Sequence, residues 1–380
     1  MIPRRPARLA LVAALPLLMA AACSRDPQTA PPADPTSSGA PSTQSGLRQS
    51  IEAATWQPPA GAVTAGGAPA GPSPGRTNNG EANADGPGGG VTDALPADAR
   101  PDPAMVRAQI LLDRTRFSPG IIDGLGGENT RQAIAAFEEA NDLPVDGELD
   151  APLFLALTSG DGGLVLTDYT ITSEDAAGPF VGPVPDSLEA MADLETVGYA
   201  TAREAMAERF HMSEDLLSTL NPGVDFGRAG QTIVVAATGP AELQGEVAHI
   251  VVDKSENALR AFDAEGTLLA FYPATIGSSE TPSPSGTHTV RAIAPRPNYT
   301  YDPSRVTSGG SNRKFVIPPG PNNPVGAVWI DLSRDTYGIH GTPEPARIGK
   351  TASSGCVRLT NWDVQQLASG VKAGVTVEFR

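Results

Sequence analysis

Two side chains near the C-terminus have the chemistry of a nucleophilic catalytic pair. Cys356 lies in Ser-Ser-Gly-Cys-Val-Arg-Leu-Thr-Asn (353–361), and His340 lies in Tyr-Gly-Ile-His-Gly-Thr (337–342). A thiolate can attack an amide carbonyl, while an imidazole takes the thiol proton and later returns a proton to the leaving amine. The sequence therefore predicts Cys356 as the nucleophile and His340 as its general base and acid. A small buried core residue is the alternative role for an unpaired cysteine.

The N-terminus is typical of an exported protein. Arginines precede an apolar run that is too short to span a bilayer and that ends in Ala-Ala-Ala-Cys (20–23). This pattern predicts a signal peptide over residues 1–22. The Ala-Ala-Ala-Cys segment resembles a bacterial lipobox, although alanine replaces the usual leucine. We therefore expect lipidation at Cys23 and a periplasmic protein anchored to the outer membrane, with ordinary cleavage to a soluble protein as the alternative. Because Cys23 is the only other cysteine, Cys356 has no disulfide partner in an oxidising compartment, which favours a reactive role.

Composition limits the partners and the number of ordered segments. The chain has 380 residues and a net charge of −16, which argues against nucleic acid because its phosphates would be repelled. Much of its Gly and Pro lies in residues 23–98, which contain few large apolar side chains. This segment is predicted to be a disordered linker. As a flexible tether of roughly 75 residues it would extend to about 250 Å at most.

Residues 99–160 carry the signals of three short helices. Asp102 followed by Pro103 is typical of a helix start, Thr130 is placed to cap a second helix, and Asp150 opens a third. Apolar residues then recur on one face of each helix. The sequence predicts a small three-helix domain.

This three-helix region resembles the peptidoglycan-binding domain of bacterial wall hydrolases. The match lies in Pro-Gly-x-x-Asp-Gly, Thr-x-x-Ala-Ile-x-x-Phe and Leu-x-x-Asp-Gly, over about residues 103–158. It departs at Glu138, where the family usually has glutamine. The resemblance implies peptidoglycan as a partner, and a helical spacer without a ligand is the alternative.

Residues 165–238 combine two predicted strands, at Tyr169-Thr-Ile-Thr and Ile233-Val-Val, with two helices between them, the second capped by Ser213. The segments Ala-Glu-Arg-Phe, Leu-Asn-Pro and Gly-Gln-Thr-Ile-Val-Val resemble a LysM module, a βααβ fold that binds N-acetylglucosamine-containing glycans. About thirty residues are inserted after the first strand. We interpret this region as a degenerate LysM-like unit that either binds sugar or supports the catalytic domain.

Residues 246–380 are dominated by short apolar runs separated by turn-forming residues. A single helix is predicted at 362–370, with Asn361 as its cap. Many strands and one helix predict a β-rich domain, either a β-sandwich or barrel-like. The predicted strands are His249–Asp253, Ala258–Phe262, Thr267–Tyr272, Thr289–Ala292, Val325–Leu332 and Val375–Phe379. The chain is therefore predicted to be multidomain.

This region resembles the YkuD-type L,D-transpeptidases. Ile-Gly-Ser-x-x-Thr-Pro-x-Pro-x-Gly (276–286) and Pro-Pro-Gly-Pro-Asn-Asn-Pro-Val-Gly (318–326) accompany the two segments that carry His340 and Cys356. The spacing between this histidine and this cysteine fits the family signature, which ends in Ser/Thr-His-Gly-Cys-hydrophobe-Arg. The second histidine of that signature is Ser354 here.

The resemblance implies a reaction and a set of partners. The acyl donor would be a peptidoglycan tetrapeptide stem, which forms a thioester with the cysteine at its diamino-acid carbonyl and releases the terminal D-Ala. Transfer to an amine would then form a 3→3 cross-link or attach a protein to the wall. Carbapenem β-lactams would be covalent inhibitors. No cofactor and no metal are expected, because no histidine-rich grouping with metal-ligand spacing occurs in the sequence.

Residues next to the predicted pair are expected to bind the substrate or the oxyanion, namely Gly341, Ser353, Ser354, Gly355 and Arg358. Gly355 and its neighbours would offer backbone N–H groups to the oxyanion. Arg358 would lower the thiol pKa or hold a substrate carboxylate, with a structural ion pair as the alternative. The glycines beside His340 would let a second chain approach closely. The remaining histidines are interpreted as structural, namely His211, His249 and His288.

Two other functions remain open from the sequence. The same thioester could be resolved by water, which would make the protein an L,D-carboxypeptidase or an amidase. Alternatively, the chain could be a non-catalytic tether that joins the outer membrane to the wall through its binding modules. The identity of the acceptor is not encoded in any motif.

Overall fold

The computed structural model describes residues 43–57, 100–160, 163–304 and 311–380. The predicted signal peptide (1–22) and Cys23 lie outside the described residues. In chain order the helices are α1 (Thr43–Glu52), α2 (Pro103–Arg114), α3 (Glu128–Ala140), α4 (Ala151–Gly160), α5 (Ser173–Ala177), α6 (Leu188–Ala192), α7 (Ala202–Arg209), α8 (Glu214–Leu220) and α9 (Asn361–Gly370). The strands are β1 (Leu166–Thr170), β2 (Thr232–Ala236), β3 (His249–Asp253), β4 (Ala258–Phe262), β5 (Leu268–Pro273), β6 (Gly286–Pro295), β7 (Tyr299–Tyr301), β8 (Phe315–Ile317), β9 (Val328–Leu332), β10 (Gly338–His340), β11 (Val357–Arg358) and β12 (Thr376–Phe379). Across these ranges, no helix has the length and apolar character needed to cross a membrane.

Helix α1 corrects the prediction that residues 23–98 are wholly disordered. Ile51 is fully buried, and the Glu52 carboxylate accepts hydrogen bonds from backbone N–H groups at the start of β1. Just beyond the helix, Trp56 Nε1 donates to the Leu149 carbonyl at 2.6 Å. A helix this short is marginal in isolation. It is stabilised here by tertiary contacts that composition alone does not reveal.

Helices α2, α3 and α4 form the predicted three-helix domain. Asp102 caps α2 by accepting from the backbone N–H of Ala104 at 2.7 Å, and Asp150 caps α4 in the same way through Leu153 at 2.9 Å. The predicted cap at Thr130 is wrong. Helix α3 begins earlier, at Glu128 after Gly127, and the Thr130 hydroxyl instead accepts from a buried glutamine of α2.

Glu138, where the sequence departs from the peptidoglycan-binding pattern, has a structural role. Its carboxylate accepts from the N–H groups of Asp146 (3.0 Å) and Gly147 (2.9 Å), and burial raises its pKa. Glu138 therefore closes the turn that precedes α4. Because a glutamine side chain also has an oxygen that can accept these bonds, the departure from the family pattern is compatible with the same turn.

The region from β1 to β2 has the predicted βααβ order. Strands β1 and β2 pair antiparallel, α7 and α8 lie between them in sequence, and Ser213 caps α8 as predicted. The inserted residues contain α5 and α6 and reach the catalytic domain. There Val197 N–H donates to the Pro319 carbonyl at 3.1 Å, and Asn322 N–H donates to the Val197 carbonyl at 3.0 Å. The resemblance to LysM stays a prediction.

The C-terminal domain is built on one eight-stranded sheet with the order β11-β10-β9-β6-β12-β3-β4-β5. It is a half-barrel sheet, which confirms the β-rich, barrel-like prediction. The pairs β10/β11 and β12/β3 are parallel, and the other neighbours are antiparallel. The predicted strands are all found, β3 and β4 with the predicted ends and the other four with shifted ends, whereas β7, β8, β10 and β11 were not predicted. Their two or three residues are too few to show an alternating pattern.

The described residues belong to one compact unit with two large hydrophobic cores. Helix α1, the three-helix domain and the βααβ region share the first core, which also includes Phe271 of β5. The second core lies within the C-terminal domain, between the sheet and α9. Helix α9 is capped by Thr360, whose hydroxyl accepts from Asp363 N–H at 3.1 Å. The predicted cap at Asn361 is therefore wrong by one residue, and the Asn361 side chain is available for other contacts.

Candidate active site

The sheet brings the two predicted catalytic side chains to neighbouring strands. His340 is the last residue of β10, and Cys356 directly precedes β11. The strands pair in parallel, with Ile339 opposite Val357 and His340 opposite Arg358. His340 is buried, with 4% of its surface exposed, and Cys356 is half-buried. The two strands lie at one edge of the sheet, and their register places Cys356 nearest to Gly338, two residues before His340.

The surroundings of His340 determine which ring nitrogen carries the proton. Nδ1 lies 2.7 Å from the carbonyl oxygen of Gly341. A carbonyl can only accept, so Nδ1 donates and Nε2 is left with the lone pair of the neutral ring. The Trp329 ring stacks on the imidazole at a centroid distance of 5.4 Å. Burial, together with the charge of Arg358, lowers the pKa of His340 to about 3. The imidazole is therefore neutral at physiological pH and able to accept a proton at Nε2.

The Cys356 thiol is also neutral at rest. Burial raises its pKa, while the Gly338 N–H and the charge of Arg358 act in the opposite direction. The Sγ atom lies 3.7 Å from the Thr336 carbonyl, to which the thiol donates. The charge of Arg358 thus lowers the thiol pKa as predicted, but the opposite effect of burial is larger. A neutral thiol and a neutral imidazole need proton transfer during attack rather than a preformed ion pair.

Two of the predicted substrate-binding residues shape the turn before Cys356 instead. Ser353 is buried, its hydroxyl accepts from Gly355 N–H at 3.1 Å, and it donates to the Cys356 carbonyl. The Gly355 N–H is therefore already engaged, and the prediction that it binds the oxyanion is not supported by this geometry. The backbone N–H that faces the sulfur belongs to Gly338, which sequence reasoning missed because Gly338 lies in the histidine segment.

The glycines beside His340 serve close packing within the domain. A Cβ at Gly338 would lie 2.5 Å from the Trp329 ring, and one at Gly341 would lie 2.1 Å from Asn361 Oδ1. The space that was expected to admit a second chain is thus filled by these two side chains. Gly341 contributes its carbonyl to His340 and is a positioning group.

The remaining predicted residues differ in accessibility. The Ser354 side chain is exposed beside the half-buried Cys356, and Arg358 is half-buried on β11. The other histidines make structural contacts: His211 pairs with Asp113 at 2.8 Å, His249 stacks on Phe262, and His288 packs edge-on against Phe379. Among the residues that the structure describes, no three His, Cys, Asp or Glu side chains are grouped to hold a metal ion.

A thiol at the start of β11 and a neutral imidazole at the end of the adjacent β10 are the groups that a cysteine-dependent acyl-transfer site requires. Comparison with known proteins identifies the class. The YkuD family model, described as "L,D-transpeptidase catalytic domain", matches residues 247–378, and the model described as "Putative peptidoglycan binding domain" matches residues 101–157. The chain belongs to the YkuD-type L,D-transpeptidases.

Two relatives that are each covered over most of their length agree with this assignment. The "Putative L,D-transpeptidase YkuD" of Bacillus licheniformis is 32% identical over 182 residues, which cover 46% of this chain and 92% of that protein. The protein of the same name from Bacillus subtilis is 32% identical over 174 residues, which cover 46% of this chain and 90% of that protein. A solved L,D-transpeptidase from Mycobacterium smegmatis is 20% identical, with 40% of this chain and 63% of that chain covered and a TM-score of 0.29.

Proposed function

We propose that Cys356 and His340 perform L,D-transpeptidation on peptidoglycan. In the first half-reaction, His340 Nε2 takes the thiol proton as Sγ attacks the diamino-acid carbonyl of a tetrapeptide stem. The tetrahedral intermediate collapses when the carbon–nitrogen bond to D-Ala breaks, and His340 returns the proton to the leaving amine. The product is a thioester on Cys356 together with free D-Ala. The observation that carries this proposal is the hydrogen bond of His340 Nδ1 to the Gly341 carbonyl, which leaves Nε2 to accept the thiol proton.

The second half-reaction transfers the acyl group. An acceptor amine attacks the thioester carbonyl and gives a proton to His340, and the cysteine sulfur leaves and takes that proton back. The Gly338 N–H, which points at the sulfur, is positioned to stabilise negative charge at this centre. Hydrolysis differs only in that water replaces the amine, so the two outcomes are separated by their products.

The test is covalent labelling followed by product analysis. Intact-mass spectrometry should show the full chain gaining one carbapenem, and Cys356→Ala should show no adduct while it still binds sacculi. Mass spectrometry of sacculi incubated with the protein should then show 3→3 cross-linked stems. Equal labelling of Cys356→Ala would contradict the nucleophile, and trimmed stems without cross-links would indicate a hydrolase.

We further propose that the chain is a periplasmic lipoprotein attached to the outer membrane through Cys23. The order in helix α1 changes the expected reach of this attachment. The chain from Cys23 to the start of α1 at Thr43 has about twenty residues, so it spans at most roughly 70 Å. Cys23→Ser should release the protein from the membrane fraction. A wild-type protein that is already soluble, with an unmodified mature N-terminus, would contradict the proposal.

Binding of glycan by the βααβ region is a separate proposal. It is supported by the antiparallel pairing of β1 and β2 around two helices. If both N-terminal modules bind the wall, surface substitutions in the three-helix domain should weaken binding to sacculi. Further substitutions in the βααβ region should weaken it again. Sacculus pull-down of surface variants in the full chain measures this. Unchanged binding after changes in the βααβ region would assign it a supporting role only.

A further inference from the structure

Asn361 is a buried amide whose hydrogen-bonding groups are all engaged. It is 1% exposed. Its Oδ1 accepts from Ala327 N–H at 2.8 Å, and its Nδ2 donates to the Pro321 carbonyl at 3.0 Å and to Glu208 Oε1 at 3.1 Å. Because one end faces a donor and the other faces two acceptors, only one orientation of the amide satisfies these partners. Asn361 is therefore held rigidly.

The same amide packs directly against the residue that holds the catalytic imidazole. A Cβ at Gly341 would lie 2.1 Å from Asn361 Oδ1, and a Cβ at Gly326 would lie 2.2 Å from the same atom. The Asn361 side chain thus fills the space above two glycine backbones. Gly341 is also the residue whose carbonyl accepts from His340 Nδ1. Asn361 therefore packs against the backbone of the residue that supplies this carbonyl.

Glu208 connects this arrangement to a different part of the chain. It lies on α7 of the βααβ region, and its Oε1 accepts both from Asn361 Nδ2 and from the Tyr199 hydroxyl at 2.8 Å. A second contact runs alongside, since Asn322 Nδ2 donates to Glu204 Oε1 at 2.7 Å. The non-catalytic region therefore supplies a hydrogen-bond acceptor to the side chain that packs on the Gly341 backbone.

From this geometry we infer that Asn361, held by Glu208 of the βααβ region, is a positioning residue for His340. It fixes the Gly341 carbonyl, which in turn selects the ring form that has Nε2 free to accept the thiol proton. The inference rests on the proposed function of His340. It assigns the βααβ region a part in catalysis that does not depend on glycan binding.

The first test determines which nitrogen of the His340 ring carries the proton. The full chain contains four histidines, so 15N-histidine labelling gives a resolvable spectrum in which protonated and unprotonated ring nitrogens have distinct shifts. The His340 signals are assigned by their loss in His340→Gln. We expect a single form with a proton on Nδ1 in the wild type, and a mixture or the opposite form in Asn361→Ala.

The second test measures the rate at which Cys356 is acylated by a carbapenem. Misplacing a catalytic group by about 1 Å can cost up to about a hundredfold, so Asn361→Ala should slow acylation by about tenfold to a hundredfold. Glu208→Ala should slow it less, and Glu208→Gln should restore it because the amide oxygen can still accept both bonds. Asn221→Ala is the matched control, since Asn221 is also 1% exposed and makes three hydrogen bonds within α8 and β2.

The outcomes separate this inference from the proposed function. Slow acylation with an altered His340 spectrum in Asn361→Ala, but not in Asn221→Ala, supports it. A normal rate and a normal spectrum in Asn361→Ala would overturn it, as would equal losses in both asparagine variants. If Asn361→Ala does not fold, the two Glu208 variants test the inference instead. Slower acylation in Glu208→Ala that is restored in Glu208→Gln supports it, and equal rates in the wild type and Glu208→Ala would overturn it. A wild type that is never acylated would refute the proposed function, and the spectrum would still test the positioning.

Discussion

Two histidines of this protein, the buried His340 and the half-buried His211, lie in opposite electrostatic surroundings. His340 stacks on Trp329 at 5.4 Å and His211 stacks on Trp362 at 5.0 Å, so each ring lies against an indole. The Nδ1 of His340 faces a backbone carbonyl, whereas the Nδ1 of His211 faces the Asp113 carboxylate at 2.8 Å. The two rings therefore differ mainly in the group that Nδ1 contacts, which is a neutral carbonyl for His340 and a carboxylate for His211.

This difference reverses the direction of the pKa shift. Burial and the charge of Arg358 lower the pKa of His340 to about 3. Burial also disfavours the charged form of His211, but the attraction of Asp113 outweighs it and the pKa is raised. His340 therefore stabilises the fold above its unfolded pKa of about 6.5, and this contribution is lost as the pH falls towards 3. The contribution of His211 is present below about 6.5 and is lost as the pH rises through its folded pKa. Burial alone does not make a histidine a base.

The largest expected difference between the two histidines appears when each imidazole is removed in turn. His340→Ala should slow the acylation of Cys356 by about 10²- to 10⁴-fold, which is the usual contribution of general acid–base catalysis. His211→Gln should leave the rate within about threefold of wild type, since no proton passes through His211 in the proposed reaction. Stopped-flow measurement with a chromogenic β-lactam checks both. A larger loss at His211 than at His340 would reverse the assignment of their roles.

Removing the carboxylate that pairs with His211 should affect stability rather than rate. Asp113 is buried and also accepts from Gly239 N–H at 2.8 Å. Asp113→Ala leaves the half-buried imidazole of His211 without its partner, and loss of one member of a buried pair costs up to about 3–5 kcal/mol. Denaturant unfolding at pH 6 should show a loss on that scale, with the acylation rate of the folded protein unchanged. A stable but slow variant would contradict the separation of the two sites.

The exposed Ser354, which replaces the second histidine of the family signature, tests whether His340 acts alone. A hydroxyl cannot store a proton near neutral pH. Ser354→Ala should therefore slow acylation by about tenfold or less, the scale of one neutral hydrogen bond of about 1 kcal/mol. Pre-steady-state acylation rates provide the measurement. Ser279→Ala is the control, because Ser279 is also exposed and lies two residues after Gly277, which forms a β-bridge with Ser353. A collapse of the rate in Ser354→Ala would mean that Ser354 has an essential role.

The smallest expected effect is that of moderate acid on catalysis. A histidine with an unperturbed pKa near 6.5 would be mostly protonated at pH 5, which would slow acylation by about thirtyfold. Because the pKa of His340 is lowered to about 3, the rate at pH 5 should stay within about threefold of the rate at pH 7. A pH–rate profile of carbapenem acylation over pH 3–8 checks this. An acid limb centred near 6.5 would contradict the lowered pKa of His340.

Local chemistry explains most of what could be predicted. Helix caps at Asp102, Asp150 and Ser213 depend on residues within one turn, and the longer strands β3, β4 and β12 show their apolar runs in the sequence. The peptidoglycan-binding and L,D-transpeptidase assignments agree with the family comparisons. The errors at Thr130 and Asn361 are of another kind. Both residues are suitable caps whose side chains bond to distant partners instead.

The sequence by itself determined the chemical types and their order: a thiol, an imidazole, the turn residues around them and the modules that precede them. Only the tertiary structure decided what each group meets. It placed α1 against the first core, engaged the Gly355 N–H with Ser353, aimed the Gly338 N–H at the sulfur and set Asn361 between Glu208 and Gly341. These contacts join residues far apart in the chain. Their energies depend on burial and on charges brought together by folding, which no local pattern of residues records.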